Sequence, residues 1–148
     1  MTHSNYDMKP LKELVKVLNG GVEFYKDAKE KVDDEHICAI FNTIITEKVQ
    51  AISTLQTYVL IDEGERETNT NSLVKLREHY TQVLGGLSSD KTHTYIAQLE
   101  EVEDKVLNKI SDALEQALPP QCVQDLRQVQ VRMQACHNEM KALQELTA

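Results

Sequence analysis

Apolar residues recur along most of this chain at three- and four-residue steps, the spacing that gathers them on one side of an α-helix. In the first such run, about residues 10–31, Leu11, Leu14, Val15, Leu18, Val22 and Tyr25 share a face. Pro10 suits a first helical turn, where its missing N–H is not needed. The segment VDD, Val32 to Asp34, breaks the pattern, and either aspartate can cap the next helix. The second run covers about 35–61, with Ile37, Phe41, Ile44, Ile52, Leu55 and Val59 as its stripe. Asp62 to Ser72 is polar, contains a glycine and reads as a loop; a shorter helix at about 73–84 is stopped by Gly85 and Gly86. Ser88, Ser89 and Asp90 offer caps for a long helix at about 90–117, striped by Leu99, Val102, Val106, Ile110 and Leu114. Pro119 and Pro120 separate it from the last helix, about 120–146, where Leu126, Val129, Met133, Cys136, Met140 and Leu143 line up. No stretch keeps the two-residue alternation of a strand.

The pattern therefore predicts an all-α chain of four long helices and one short one. Helices of this length span roughly 38 Å at 1.5 Å per residue. Tight joints between the first and second, and between the last two, make antiparallel neighbours. The middle connection is long and carries the short helix. Two antiparallel hairpins joined by a crossover form a ferritin-like four-helix bundle; an up-down meander with a wandering loop is the alternative.

Composition narrows the class. At 148 residues the chain suits one domain, residues 1–148, rather than two. Its net charge of −8 argues against a nucleic-acid footprint and against an anionic membrane surface. No apolar run is long enough to span a bilayer, and the first residues lack the basic-then-apolar order of a signal peptide. Cys38, Cys122 and Cys136 are an odd set without metal-type spacing, and read as reduced thiols of a cytoplasmic protein.

One position conflicts with the pattern. Lys48 lies near the middle of the apolar face of the second helix. On the third long helix, Glu103 falls inside the stripe between Leu99 and Val106. On the last, Met133 and Cys136 centre the face, His137 lies beside it, and Gln130, seven residues earlier, shares the side of His137. An isolated buried charge is very costly, so a buried lysine needs a partner.

The first hairpin, VEFYKDAKEKVDDEHICAIFNTIITEKV, resembles that of ferritin-like, rubrerythrin-related proteins. With VEDKVLNKI and VRMQACHNEM, the chain from about Leu11 to Leu146 resembles more closely an uncharacterised bacterial group of ferritin-like domains of unknown function. Metal-bearing members of the superfamily use a Glu on helix one, E-x-x-H on helix two, a Glu on helix three and E-x-x-H on helix four. Counted onto this chain, the resemblance puts those positions at Leu18, at Lys48 and Ala51, at Glu103, and at Met133 and Cys136. Only Glu103 keeps a ligand. The resemblance thus implies a bundle that has lost its di-iron site, has no cofactor, and acts through self-association or protein partners, with a stress-related role.

The expected cluster at the former metal position is Lys48, Glu103, Gln130 and His137, with Tyr25 at its edge. Lys48 and Glu103 would pair there, the ammonium standing in for one metal charge; the alternative is a lysine that snorkels its head to water. A second function reading is a metal-binding protein or oxidase holding iron or manganese through Glu103, His137 and either Glu47 or Glu100. A third is a helical signalling or adaptor module, with His79 or His93 as an exposed nucleophile. Val17 and Phe24 form a second apolar strip on helix one. It is either covered by the short helix through Leu73, Leu76 and Tyr80, or it is the contact of a homodimer or higher homo-oligomer. Gly20 and Gly21 cost helix stability, and point to close approach of another helix.

Overall fold

Asp34 is the aspartate that starts the second helix: its Oδ1 accepts from the backbone N–H of His36 at 2.9 Å and of Ile37 at 3.1 Å. At the chain's first turn Asp7 does similar service, its Oδ1 accepting from Lys9 N–H at 3.1 Å, with Pro10 just inside the helix. These signals frame four helices in the computed structural model, which describes residues 6–63 and 91–147. They are α1 (Lys9–Lys31), α2 (Glu35–Glu63), α3 (Lys91–Leu114) and α4 (Pro120–Thr147). The expected short helix at 73–84 lies outside the described residues, as do Leu73, Leu76, His79 and Tyr80. The third long helix stops at Leu114, short of the expected 117. There the Glu115 and Gln116 N–H groups turn back to Asp112 and Ala113, tightening the last turn before the two prolines.

Cross-helix contacts fix the topology. Asp7 N–H meets the Ala117 carbonyl at one end of α1 and Tyr25 meets Glu103 further along, so α1 and α3 are antiparallel. Glu47 meets Arg132 and Tyr58 meets Asp125, so α2 and α4 are antiparallel as well. Helix α1 packs on α2 and α3, and α4 packs on α2 and α3. Helices α2 and α3 are therefore diagonal and parallel, and α2 ends at the opposite end of the bundle from the start of α3. A meander would place them side by side and antiparallel. The observed order is two antiparallel hairpins, the end of the first and the start of the second lying at opposite ends of an all-α four-helix bundle.

The four apolar stripes meet in one continuous core, from Met8 and Leu118 at one end to Val32 and Ile37 at the other. Val17 and Phe24 belong to it, at 0% and 1% exposure within a single chain. The expected dimer strip on helix one is thus not a free surface. Phe41 stands edge-on to Tyr25, with ring centroids 5.6 Å apart. Among the described residues no helix is long and apolar enough to cross a membrane.

Candidate functional site

The layer containing Tyr25, Lys48, Glu103 and Met133 holds a buried polar cluster. Helical period turns all four inward: Tyr25 and Glu103 lie on the facing stripes of α1 and α3, Lys48 and Met133 on those of α2 and α4. Lys48 and Glu103 are both 0% exposed, so the lysine does not snorkel. Lys48 Nζ donates to Glu103 Oε1 at 2.7 Å, and Tyr25 OH donates to Glu103 Oε2 at 2.5 Å. Both carboxylate oxygens are engaged. The ammonium also lies 3.6 Å from Met133 Sδ and 5.7 Å from the Tyr25 ring centroid, so the ring faces a cation. Gly21 makes room for the lysine stem. A Cβ there would stand 3.5 Å from Lys48 Cδ and from Val102 Cγ1.

The cluster shapes its neighbours' ionisation. Burial, then the charge of Glu103 and its hydrogen bond, hold the Tyr25 phenol well above its ordinary range. Burial pushes the Cys136 thiol up to about 12; Lys48 pulls it down and Glu103 pushes it up. Cys122, buried further along α4, is pushed up to about 11 by burial and by Asp125. Both are therefore neutral thiols at ordinary pH. These are poor nucleophiles and poor metal ligands, since the thiolate does that chemistry.

All six positions that correspond to di-metal ligands in the expected alignment are buried: Leu18, Lys48, Ala51, Glu103, Met133 and Cys136. They face the bundle interior but do not offer a di-metal donor set. Such a pair draws on several carboxylates and histidines. This layer offers a cation, a thioether, a protonated thiol and one carboxylate that already serves two donors.

His137 and Gln130 are not part of this cluster. His137 lies one residue past Cys136, about 100° around the helix, and turns to the α3/α4 seam. There its Nε2 is 2.7 Å from Asp104 Oδ1 and 4.0 Å from Glu100 Oε1. Gln130 is partly exposed on that same side of α4. Glu100, Asp104 and His137 each offer a ligand atom within 4.8 Å of the others. The apolar pattern does not single out Asp104; its signal is a spacing of four from Glu100, which puts the two on one helix face. The second nitrogen of His137 decides how the seam is wired. Among the described residues Nδ1 is buried without a partner. A neutral ring that donates Nε2–H to Asp104 leaves Nδ1 as a bare acceptor. A ring that gives Nε2 to a metal must carry its proton on Nδ1, where none of the described residues accepts it, whereas metal-bound histidines normally donate that proton to a second group. The seam thus fits a histidine–aspartate hydrogen bond better than a metal.

The remaining candidates are placed elsewhere. Glu47 accepts two bonds from Arg132 Nη1, at 2.7 and 3.0 Å, on the α2/α4 seam. His93 Nδ1 lies 2.9 Å from Thr147 Oγ1. Tyr58 OH donates to Asp125 Oδ2 at 2.5 Å, a cross-helix bond that the sequence did not suggest.

Comparison with curated proteins and with solved structures finds no match. A family model described as "Domain of unknown function (DUF2383)" matches residues 8–116. That span contains Tyr25, Lys48, Glu100, Glu103 and Asp104, and ends before Met133, Cys136 and His137. The match covers α1 to α3 and well over half of the chain, and the chain belongs to the DUF2383 family.

Proposed function

We propose that this chain is a non-enzymatic, ferritin-like bundle. In it a lysine–glutamate–tyrosine cluster occupies the position where metal-bearing relatives hold a di-metal pair, and the protein works through its surface, by self-association or protein partners. One observation carries the reading: Lys48 Nζ lies 2.7 Å from Glu103 Oε1 with both side chains fully buried. An ammonium inside the bundle supplies the positive charge that a metal would otherwise give to the one carboxylate left there. The crossover topology and the inward direction of all six ligand-equivalent positions support kinship with the ferritin-like superfamily. A buried pair of this kind adds little stability over an apolar filling, but it penalises any helix register that separates its partners. A fixed register suits a scaffold that presents a constant surface.

The test is elemental analysis of protein purified without chelators. The reading expects no stoichiometric iron, manganese or zinc. Stoichiometric iron or manganese that disappears in Glu103→Ala overturns it. A second reading, a surface metal-binding protein, is favoured by the proximity of Glu100, Asp104 and His137. Stoichiometric metal lost in His137→Ala and retained in Glu103→Ala would support that reading instead.

A further inference from the structure

Charge is distributed unevenly around the bundle. Helices α1 and α3 carry charged side chains along their outer faces, as at Lys26, Glu30, Glu101 and Asp112. Between Ile37 and Leu60, α2 has only two charged residues, Glu47 and Lys48; Lys48 is buried and Glu47 is bound to Arg132. On α4, Gln124, Gln128, Val131, Ala135, Asn138 and Ala142 form an exposed, uncharged stripe, with the exposed Arg127 and Glu145 beside it towards its two ends. Val131 is 71% exposed and Val49, on α2, 48%. Between the two helices runs a groove of about 350 Å³ with Ile40, Ile44 and Cys136 in its lining, and with Arg132 and Glu139 among its α4 residues.

We infer that this face is the interface of a two-fold homodimer in which α4 packs antiparallel against α4 of a second copy. The inference rests on the self-association reading above, and it names the surface. The stripe steps by four and three residues, the repeat of helices that pack along a seam. Ala135, Asn138 and Ala142 are small, which lets two backbones approach closely. The flanking charges are self-complementary. Arg132 and Glu139 are one heptad apart on the groove side of the stripe. A two-fold axis between them brings Arg132 of each copy against Glu139 of the other, forming two identical ion pairs. Arg132 can serve both carboxylates. Its bonds to Glu47 leave from Nη1 alone, and a guanidinium has further donors. In the same register Gln134 meets Lys141 on the other flank, so no like charges are opposed. An uncharged stripe flanked by opposite charges that match across a two-fold axis is what a second copy of this chain requires.

The test is sedimentation velocity on the full chain across a concentration series, with circular dichroism on each variant. Wild type is expected to be a dimer. Ala135→Glu and Val131→Glu, both on the exposed face, should keep native helicity and weaken the dimer by about a hundredfold or more. Glu139→Arg alone opposes two arginines across the axis and should weaken it by about tenfold. Adding Arg132→Glu should restore most of the affinity. A wild type that is monomeric at all concentrations overturns both this inference and self-association. A dimer that survives Ala135→Glu and Val131→Glu overturns the assignment of the face and leaves self-association standing.

Discussion

Replacing Lys48 by methionine removes the ammonium and keeps most of the side-chain volume. Glu103, 0% exposed, is then left with Tyr25 OH as its hydrogen-bond donor and no counter-charge. Removing one partner of a buried ion pair costs about 3–5 kcal/mol. Domains of this size melt about 2–4 °C lower for each kcal/mol lost, so the expected drop is roughly 6–20 °C. Urea denaturation followed by circular dichroism reads the loss directly as a lower midpoint at unchanged slope. Lys9→Met, at an exposed position, serves as the control and should change stability by less than about 0.5 kcal/mol. Lys48→Met combined with Glu103→Leu removes both charges and should recover most of the loss, because the cost lies in the orphaned carboxylate rather than in the missing attraction. Equal, small effects for Lys48→Met and Lys9→Met would refute the reasoning, as would a double variant no more stable than Lys48→Met alone.

Further predictions test the surroundings of the pair. Tyr25→Phe deletes the hydrogen bond to Glu103 Oε2 and should cost about 1.5–3 kcal/mol by urea denaturation, the range for bonds to a charged acceptor. Alkaline stability should fall as the pH rises from about 9 toward 12. Cys122 and Cys136 are pushed up to about 11 and about 12 in the folded chain, so between their ordinary value and these the unfolded chain has lost protons that the folded chain keeps. Cys136→Ala should flatten that slope by up to one proton, about 1.4 kcal/mol per pH unit, in denaturation curves recorded across the window. Gly21→Ala meets only ordinary contacts at 3.5–3.6 Å and should stabilise the helix by about 0.4–1 kcal/mol in a thermal melt, whereas Gly21→Leu should collide with the Lys48 stem and destabilise. With a thiol reagent, Cys38, half-buried and bonded to the Val32 and Lys29 carbonyls, should react first, and the buried Cys122 and Cys136 only on unfolding.

The elements that the sequence made legible are those set by long, strict periodicity. Lys48 and Glu103 could be placed inward because several apolar neighbours on each helix define the same face. The crossover topology was readable from one long connection between two short ones. His137 and Gln130 lay at the margin of their stripe. There a few tens of degrees decide between core and seam, and the seam has an aspartate, Asp104, that draws the imidazole outward. Tyr25 was expected at the edge of the cluster. Its reach across the bundle to Glu103 depends on how closely α1 and α3 approach, which no single-helix pattern contains. The same holds for Met133 beside the ammonium, and for the Tyr58–Asp125 and Glu47–Arg132 bonds between α2 and α4. Val17 and Phe24 looked like an outward strip because the wheel describes one helix at a time, and their cover comes from tertiary packing. The charge-poor run of α2 and the uncharged stripe of α4 were present in the sequence. Their meaning emerged only once the two helices were seen to be neighbours.

The central claim is that an ammonium, and not a metal, stands beside Glu103 inside the bundle. A crystal structure with anomalous data collected at the iron, manganese and zinc edges tests it most directly. The account predicts no anomalous peak within bonding distance of Glu103, with Lys48 Nζ and Tyr25 OH each hydrogen-bonded to one of its oxygens. A metal peak coordinated by Glu103, with Lys48 turned away from it, would contradict the account.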